Sequence, residues 1–259
     1  LQKIQQYDIK NDDKLELEHS EIEEFEKLNT VHMRMVERLH DDFVNLKELT
    51  AKTSHELQTP LAVIKGKAEL LLQSEKLGEE EFATVNTILQ TTKRLSRLNQ
   101  SLLLIFKIEN EHYEEVAEVD LKQVLERFTE NYQVMVQAGR YQLEMDAEPT
   151  PVLISPVLAD VLLSNLLKNA ILHGSEGGRI EVWLKNGKLV IANTGEPLPM
   201  KKQELFKRFT RNKGKSSGSG LGLEIVRKIC AFYKLSLHYD YTGTMHRFTI
   251  GLQSIAKRD

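Results

Sequence analysis

Ser54-His55-Glu56-Leu57-Gln58-Thr59-Pro60-Leu61 sets a histidine beside a glutamate, a threonine one helical turn later and a proline after it. The stretch lies inside a long helical pattern. Leu46, Leu49, Thr53, Leu57, Leu61, Ile64, Ala68 and Leu71 recur at a spacing of about 3.5 residues, the seam of a coiled coil or bundle. His55 stands two positions past Thr53, off that seam, so it should face solvent. Pro60 removes a backbone donor and is expected to kink the helix just after His55. Taken alone, His55 reads as an exposed helix histidine.

Gly78 and Glu79-Glu80-Glu81 mark a turn and a new helix start. Phe82, Val85, Leu89, Thr92, Leu95, Leu98, Leu102 and Ile105 then share one face. Two long amphipathic helices joined by a short loop make a hairpin whose own core is too small. Dimerising into a four-helix bundle buries both stripes. Upstream, residues 1–30 are polar and acidic. Ser20-Glu21-Ile22-Glu23 looks like a capping box with Ser20 as N-cap and Glu23 at the third position. That segment reads equally as a signal relay and as a solvated linker.

The 259 residues suffice for two modest domains, and a hydrophobic fraction of 41% allows a real core. Net charge is −3, with no basic block or basic–aromatic face, which argues against nucleic acid as a partner. Cys230 is the single cysteine, so no intrachain disulfide can form and a reducing compartment fits. Its apolar neighbours predict an inert core thiol. No apolar run approaches the ~18 residues of a membrane helix. There is no signal peptide, and the start at Leu1 without methionine reads as a piece cut from something longer.

Past Asn110 the composition changes. Residues 111–118 read as an acidic connector, 121–138 as a helix ending at Gly139, 141–145 and 152–154 as strands, and Pro156 to His173 as a helix with proline at a tolerated early position. Strands 179–184 and 189–192 flank Asn186-Gly187, a strong hairpin signal. Residues 204–211 look helical, 213–219 form a glycine–serine–lysine loop, and 221–233 a helix. Strands 236–241 and 245–252 close the chain around Thr242-Gly243. This is an α+β sandwich: a mixed, mainly antiparallel sheet with helices on one face.

Three motifs stand out in this half. Gly218-Ser219-Gly220-Leu221-Gly222-Leu223 opens a helix: glycines let the backbone approach a ligand, and the helix N-terminus offers free N–H groups to a phosphate. A plain flexible loop is the other reading. Asn165 and Asn169 share one face of an otherwise apolar helix that ends at His173, where unpartnered amides are costly. Their oxygens suit Mg2+; capping or core-satisfied asparagines are the plainer reading. Asn193-Thr194-Gly195-Glu196-Pro197 follows a strand. Its amide could bind an adenine edge, with Gly195 giving the base room; an ordinary turn is the alternative. Leu205-Phe206-Lys207-Arg208-Phe209 comes next.

In this order, the motifs of residues 46–252 resemble the catalytic core of sensor histidine kinases of two-component systems. His55 to Leu61 looks like the H-box, Asn165 to His173 the N-box, Asn193 to Gly195 the first glycine box, Leu205 to Phe209 the F-box and Gly218 to Gly222 the second glycine box. The resemblance implies a multidomain α and α+β protein. Residues 1–45 would be a juxtamembrane, HAMP-like relay and 46–111 the dimerisation and histidine-phosphotransfer hairpin. Residues 112–119 would be a linker and 120–259 a Bergerat-type ATP-binding domain. It implies His55 as phosphoacceptor, Glu56 and Thr59 as catalytic helpers, and ATP held by Asn165, Asn169, His173, Asn193, Gly195, Phe209, Gly218, Gly220, Leu221, Gly222 and Leu223. It further implies Mg2+ on Asn169, aided by Asn165, a homodimer, and phosphotransfer to an aspartate of a response regulator receiver domain, with a phosphatase reaction in reverse. The chain would be the cytosolic portion of an inner-membrane sensor whose anchor lies in a missing N-terminal part. This sequence departs from the family at Asn193 (usually Asp), Leu172 (often basic), Pro197 (usually Gly) and Gln58 (commonly basic). A chaperone- or topoisomerase-type ATPase would lack the phosphoacceptor hairpin, and a degenerate kinase would serve as a dimeric scaffold.

Overall fold

In the computed structural model, residues 22–74, 77–110, 116–198, 205–206 and 220–255 are described. Helices α1 (Glu23–Leu72) and α2 (Glu79–Asn110) form the hairpin. Glu23, Glu24 and Glu26 place negative charge at the positive end of α1, and Ile22 is its N-cap, with no side-chain bond. The expected N-cap, Ser20, lies outside the described residues. Pro60 falls inside α1, which continues to Leu72. The proline thus deprives the Glu56 carbonyl of its ladder donor without ending the helix.

Near the turn, Ala68, Val85 and Leu89 form a small core with Leu72 packed against it. Elsewhere the seam is open on one chain. Leu46, Leu49, Leu57, Ile64, Leu71, Phe82, Leu95 and Leu102 are between 38% and 62% exposed.

The second part contains β1 (Ala117–Asp120), α3 (Leu121–Asn131), α4 (Gln133–Ala138), β2 (Gln142–Ala147), β3 (Pro151–Ile154), α5 (Pro156–His173), β4 (Arg179–Lys185), β5 (Lys188–Thr194), α6 (Gly222–Phe232), β6 (Ser236–Thr242) and β7 (Met245–Gly251). The acidic connector is shorter than expected, because residues 117–120 already pair with β3. The helix expected over 121–138 breaks at Tyr132, whose ring stacks on Phe128 at 6.0 Å. Asp120 caps α3, accepting from the Lys122 and Thr150 backbone N–H groups. Leu205 and Phe206 sit in a turn; the rest of the helix expected over 204–211, and the loop over 213–219, lie outside the described residues.

The main sheet runs β2-β4-β5-β7-β6, with β2 and β4 parallel and the other pairs antiparallel. The β4–β5 turn is the expected Asn186-Gly187, both at positive φ. Cross-strand register aligns Leu184, Leu189, Ile250 and Leu237 in one inward row and Val182, Ile191, Phe248 and Tyr239 in the next. The third row, Ile180, Asn193, His246 and Tyr241, turns polar at the sheet's end. Helices α5 and α6 cover these rows. The core they close also takes in Ile105 and Ile108 of α2. Among the described residues, no helix is long and apolar enough to cross a membrane.

Candidate phosphoacceptor and nucleotide sites

His55, Glu56 and Thr59 are exposed on α1. The Thr59 hydroxyl reaches back to the His55 carbonyl at 3.5 Å. Ser54, just before the histidine, is only 5% exposed. Its carbonyl accepts a 2.8 Å bond from the Asn99 amide on α2. Asn99 was not legible as a site residue, because nothing local links it to a helix 45 positions away.

At the other site, Asn165 donates its amide N–H to the Val161 carbonyl at 2.8 Å. That bond turns Oδ1 the opposite way, towards the start of α6. A Cβ on Gly222 would stand 2.8 Å from this oxygen, so glycine is what permits the close approach. Gly220 has φ of +74°, a conformation glycine adopts without strain. Leu221 is fully buried and is the N-cap of α6 without a side-chain bond. Glu224 in the first turn is buried and pairs bidentately with Arg227 at 2.8 and 3.0 Å. Leu223 and Asn169 are half-buried, and His173 ends α5 on the exposed side. Asn165, Asn169, Gly220, Leu221, Gly222 and Leu223 are therefore carried by facing α5 and the start of α6. Phe209 and Gly218 lie outside the described residues.

Asn193 is 2% exposed. Its Nδ2 donates to the Thr194 carbonyl at 3.1 Å, which leaves Oδ1 as an acceptor. An adenine amino group is a donor, and an amide oxygen at this position has the polarity to accept from one. Gly195 follows where β5 ends. The space its missing side chain leaves is filled by His246, whose ring carbon would lie 2.7 Å from a Cβ there. Three further bonds tie this loop to the β6–β7 hairpin. Gly195 N–H donates to the Thr244 carbonyl at 2.9 Å, the Tyr241 hydroxyl donates to the Gly195 carbonyl at 3.2 Å, and His246 Nε2 donates to the Glu196 carbonyl at 2.9 Å. Burial pushes the His246 imidazole below its ordinary pKa, against the Glu196 bond that raises it. The protein packed around it, then the nearby His246, pushes His173 down as well, although the residue keeps an exposed surface.

Residues 45–111 match the family model described as the His Kinase A (phospho-acceptor) domain. Residues 155–254 match that of the histidine kinase-, DNA gyrase B- and HSP90-like ATPases. The chain belongs to the sensor histidine kinases. Sensor protein CzcS of Cupriavidus metallidurans is 27% identical over 205 residues, covering 75% of this chain and 43% of that protein. Sensor histidine kinase GlrK of Escherichia coli is 30% identical over 185 residues, covering 67% and 39%. The crystal structure of full-length ShkA in complex with AMPPNP superposes with a TM-score of 0.67 at 23% identity, over 82% of this chain and 46% of that one. Acinetobacter baumannii histidine kinase AdeS gives 0.55 at 24% identity, over 76% and 96%. At these identities the structural likeness speaks for the fold. The kinase chain spans less than half the length of the curated relatives it matches first, 43% to 47%.

The phospho-acceptor match sets this histidine kinase apart from chaperone- and topoisomerase-type ATPases. Its C-terminal half is an ATP-binding domain, and every described residue of the candidate nucleotide site lies inside the matched range. The hairpin and the ATP-binding domain of the kinase are also packed together: Glu109 of α2 pairs with Lys228 of α6. Among the described residues, no group of three or more His, Cys, Asp or Glu could hold a metal ion. The donors at hand for a hard cation are the Asn165 and Asn169 amide oxygens. They fit Mg2+ in kind, with substrate phosphates and water completing its shell.

Proposed function

We propose that this chain autophosphorylates on His55 and passes the phosphoryl group to an aspartate of a response regulator receiver domain. The observation that carries this reading is the joining, in one chain, of an exposed histidine in His-Glu-x-x-Thr-Pro on a bundle helix with an ATP-binding domain. In that domain a helix start whose N-cap residue makes no side-chain bond faces an amide oxygen. Asn193 Oδ1 accepts from the adenine amino group, and the start of α6 offers backbone N–H groups to the phosphates. Mg2+, held by Asn169 and Asn165, supplies neutralisation of phosphate charge. A neutral ring nitrogen of His55 forms the bond to the γ-phosphorus as the bond to the β–γ bridging oxygen breaks, and ADP leaves. Glu56 accepts a hydrogen bond from the other ring N–H and takes up its developing charge. Thr59 orients a water for dephosphorylation in the reverse sense. His173, Phe209, Gly218, Gly195, Gly220, Gly222 and Leu223 complete the nucleotide site, with Leu221 contributing through its backbone.

The active form is a homodimer, supported by the open apolar seam, and the chain is the catalytic part of a longer sensor with its membrane anchor upstream of residues 1–45. The domain divisions at 46–111, 112–119 and 120–259 belong to the same reading, with residues 117–119 of the linker already paired in β1 of the ATP-binding domain. The test is incubation with γ-labelled ATP and Mg2+, with His55→Gln alongside. Acid-labile, base-stable label on the parent and none on the variant is the expected result. Equal label on both would remove His55 as acceptor, and no nucleotide binding at millimolar ATP would leave a dimeric scaffold instead.

A further inference from the structure

We propose that Asn99 is a positioning residue for the phosphoacceptor: its bond to the Ser54 carbonyl sets the axial register of α1 against α2 at the residue before His55. The proposal rests on the reading of His55 as acceptor.

Asn99 lies on α2 between seam residues Leu95, Leu98 and Leu102, and is half-buried. An amide in that setting costs free energy unless it is bonded. Its Nδ2 finds the Ser54 carbonyl at 2.8 Å, at a position that is itself buried. The apolar contacts of the hairpin are non-directional and survive a small slide. The amide bond does not: a slip of one residue moves α1 by about 1.5 Å and a slip of one turn by about 5.4 Å. The one-residue slip breaks the bond to Ser54, whereas the one-turn slip exchanges Ser54 for the carbonyl of a neighbouring turn, so the bond fixes the register against small slides. A single polar side chain in an apolar seam is a known way to fix register at some cost in stability.

The place of the bond matters as much as its strength. Six residues beyond Ser54, Pro60 removes a ladder donor from α1. The backbone around His55 is therefore less constrained from within on its C-terminal side. Asn99 supplies a tether from outside on the N-terminal side. In-line attack needs the ring nitrogen and the γ-phosphorus in a narrow range of distance and angle, and a misplacement of about 1 Å can lower a rate by about 100-fold.

The experiment uses the whole chain as parent, Asn99→Leu and Asn99→Gln, with His55→Gln as blank. The readouts are autophosphorylation rate at saturating MgATP, KM for ATP and the thermal midpoint. Spin labels at Lys52→Cys and Gln100→Cys report the offset of the two helices. Asn99→Leu is expected to melt no lower than the parent, since it puts an apolar side chain in the seam. It should autophosphorylate at least tenfold more slowly, on the order of a sub-ångström to ångström misplacement, with KM for ATP unchanged and a shifted or broadened label distance. Asn99→Gln, which keeps the donor, recovers part of the rate. A purely structural role predicts the reverse, with Asn99→Leu as active as the parent. An unchanged label distance in Asn99→Leu overturns the proposal. So does an unchanged rate, or a KM that rises as the rate falls. A parent that takes no label while the distance still shifts removes His55 as acceptor and leaves the register role standing.

Discussion

His246 sits opposite Asn193 across the β5–β7 pair, and its protonation state follows from its partners. The Glu196 carbonyl can only accept, so Nε2 carries a proton. In the neutral ring Nδ1 is bare and accepts from the Tyr239 hydroxyl at 2.7 Å. Tyr239 is pushed up to about 12, by burial first and then by Tyr241 and Asp240, and so keeps its proton. The charged or titratable groups around the ring are thus Tyr239 and Tyr241 from β6 and His173 from α5. His173 carries the same sign of charge when protonated. Both histidines are held below the ordinary value of about 6.5. Falling pH therefore protonates the unfolded chain first. The stability these neutral rings contribute is complete above about pH 6.5 and is lost as pH falls towards their lowered folded values. The thermal midpoint of the parent should drop between pH 7.5 and 5.5. In His246→Phe the drop should be smaller, as read by calorimetry at the two pH values. Nothing in Thr244-Met245-His246-Arg247 points to this role in the sequence, because the ring meets Gly195 only through strand register set by distant hydrophobic rows.

Helix α5 shows what an element needs beyond its own residues. Its start, with proline in the first turn, and its end at His173 were legible, as was the face shared by Asn165 and Asn169. What satisfies its last carbonyls was not. The last carbonyls of a helix have no internal partners. Here the hydroxyl of Tyr141, the residue just before β2, bonds the Ile171 carbonyl at 2.9 Å and the Gly174 carbonyl at 3.1 Å. Gly139 and Gly174 leave room for the Tyr141 ring, which would overlap a Cβ at either position. Tyr141→Phe keeps the ring and leaves those carbonyls short of a donor, at a cost of about 1–2 kcal/mol. Urea unfolding should show a lower midpoint at unchanged slope. Short elements were legible least. Strand β1 is Ala-Glu-Val-Asp, four residues with two exposed, too brief for an alternating pattern to register. The parallel β2–β4 pairing joins strands separated by β3 and α5, a long-range contact with no local signature.

On the scale of the whole molecule, α2 belongs to two bodies at once. Its first half builds the hairpin, while Ile105 and Ile108 are part of the ATP-binding domain's core and Glu109 reaches Lys228. Among the described residues, nothing covers the apolar seam further up the hairpin, and Ile64 on it is 45% exposed. A second copy offers the same stripe, as a two-fold bundle requires. The parent should sediment as a dimer at micromolar concentration, and Ile64→Glu should shift it towards monomer while leaving ATP affinity unchanged. Retention of the dimer by that variant would place the interface elsewhere. The sheet order carries a last consequence. Strand β7 is made after all the others, yet it sits inside the sheet, between β5 and β6. Until residues 245–251 leave the ribosome, β5 keeps a bare edge and the Asn193 loop lacks the His246 it rests on. During synthesis, the Asn193 loop, the proposed adenine end of the nucleotide pocket, is therefore among the last parts of the domain to take shape.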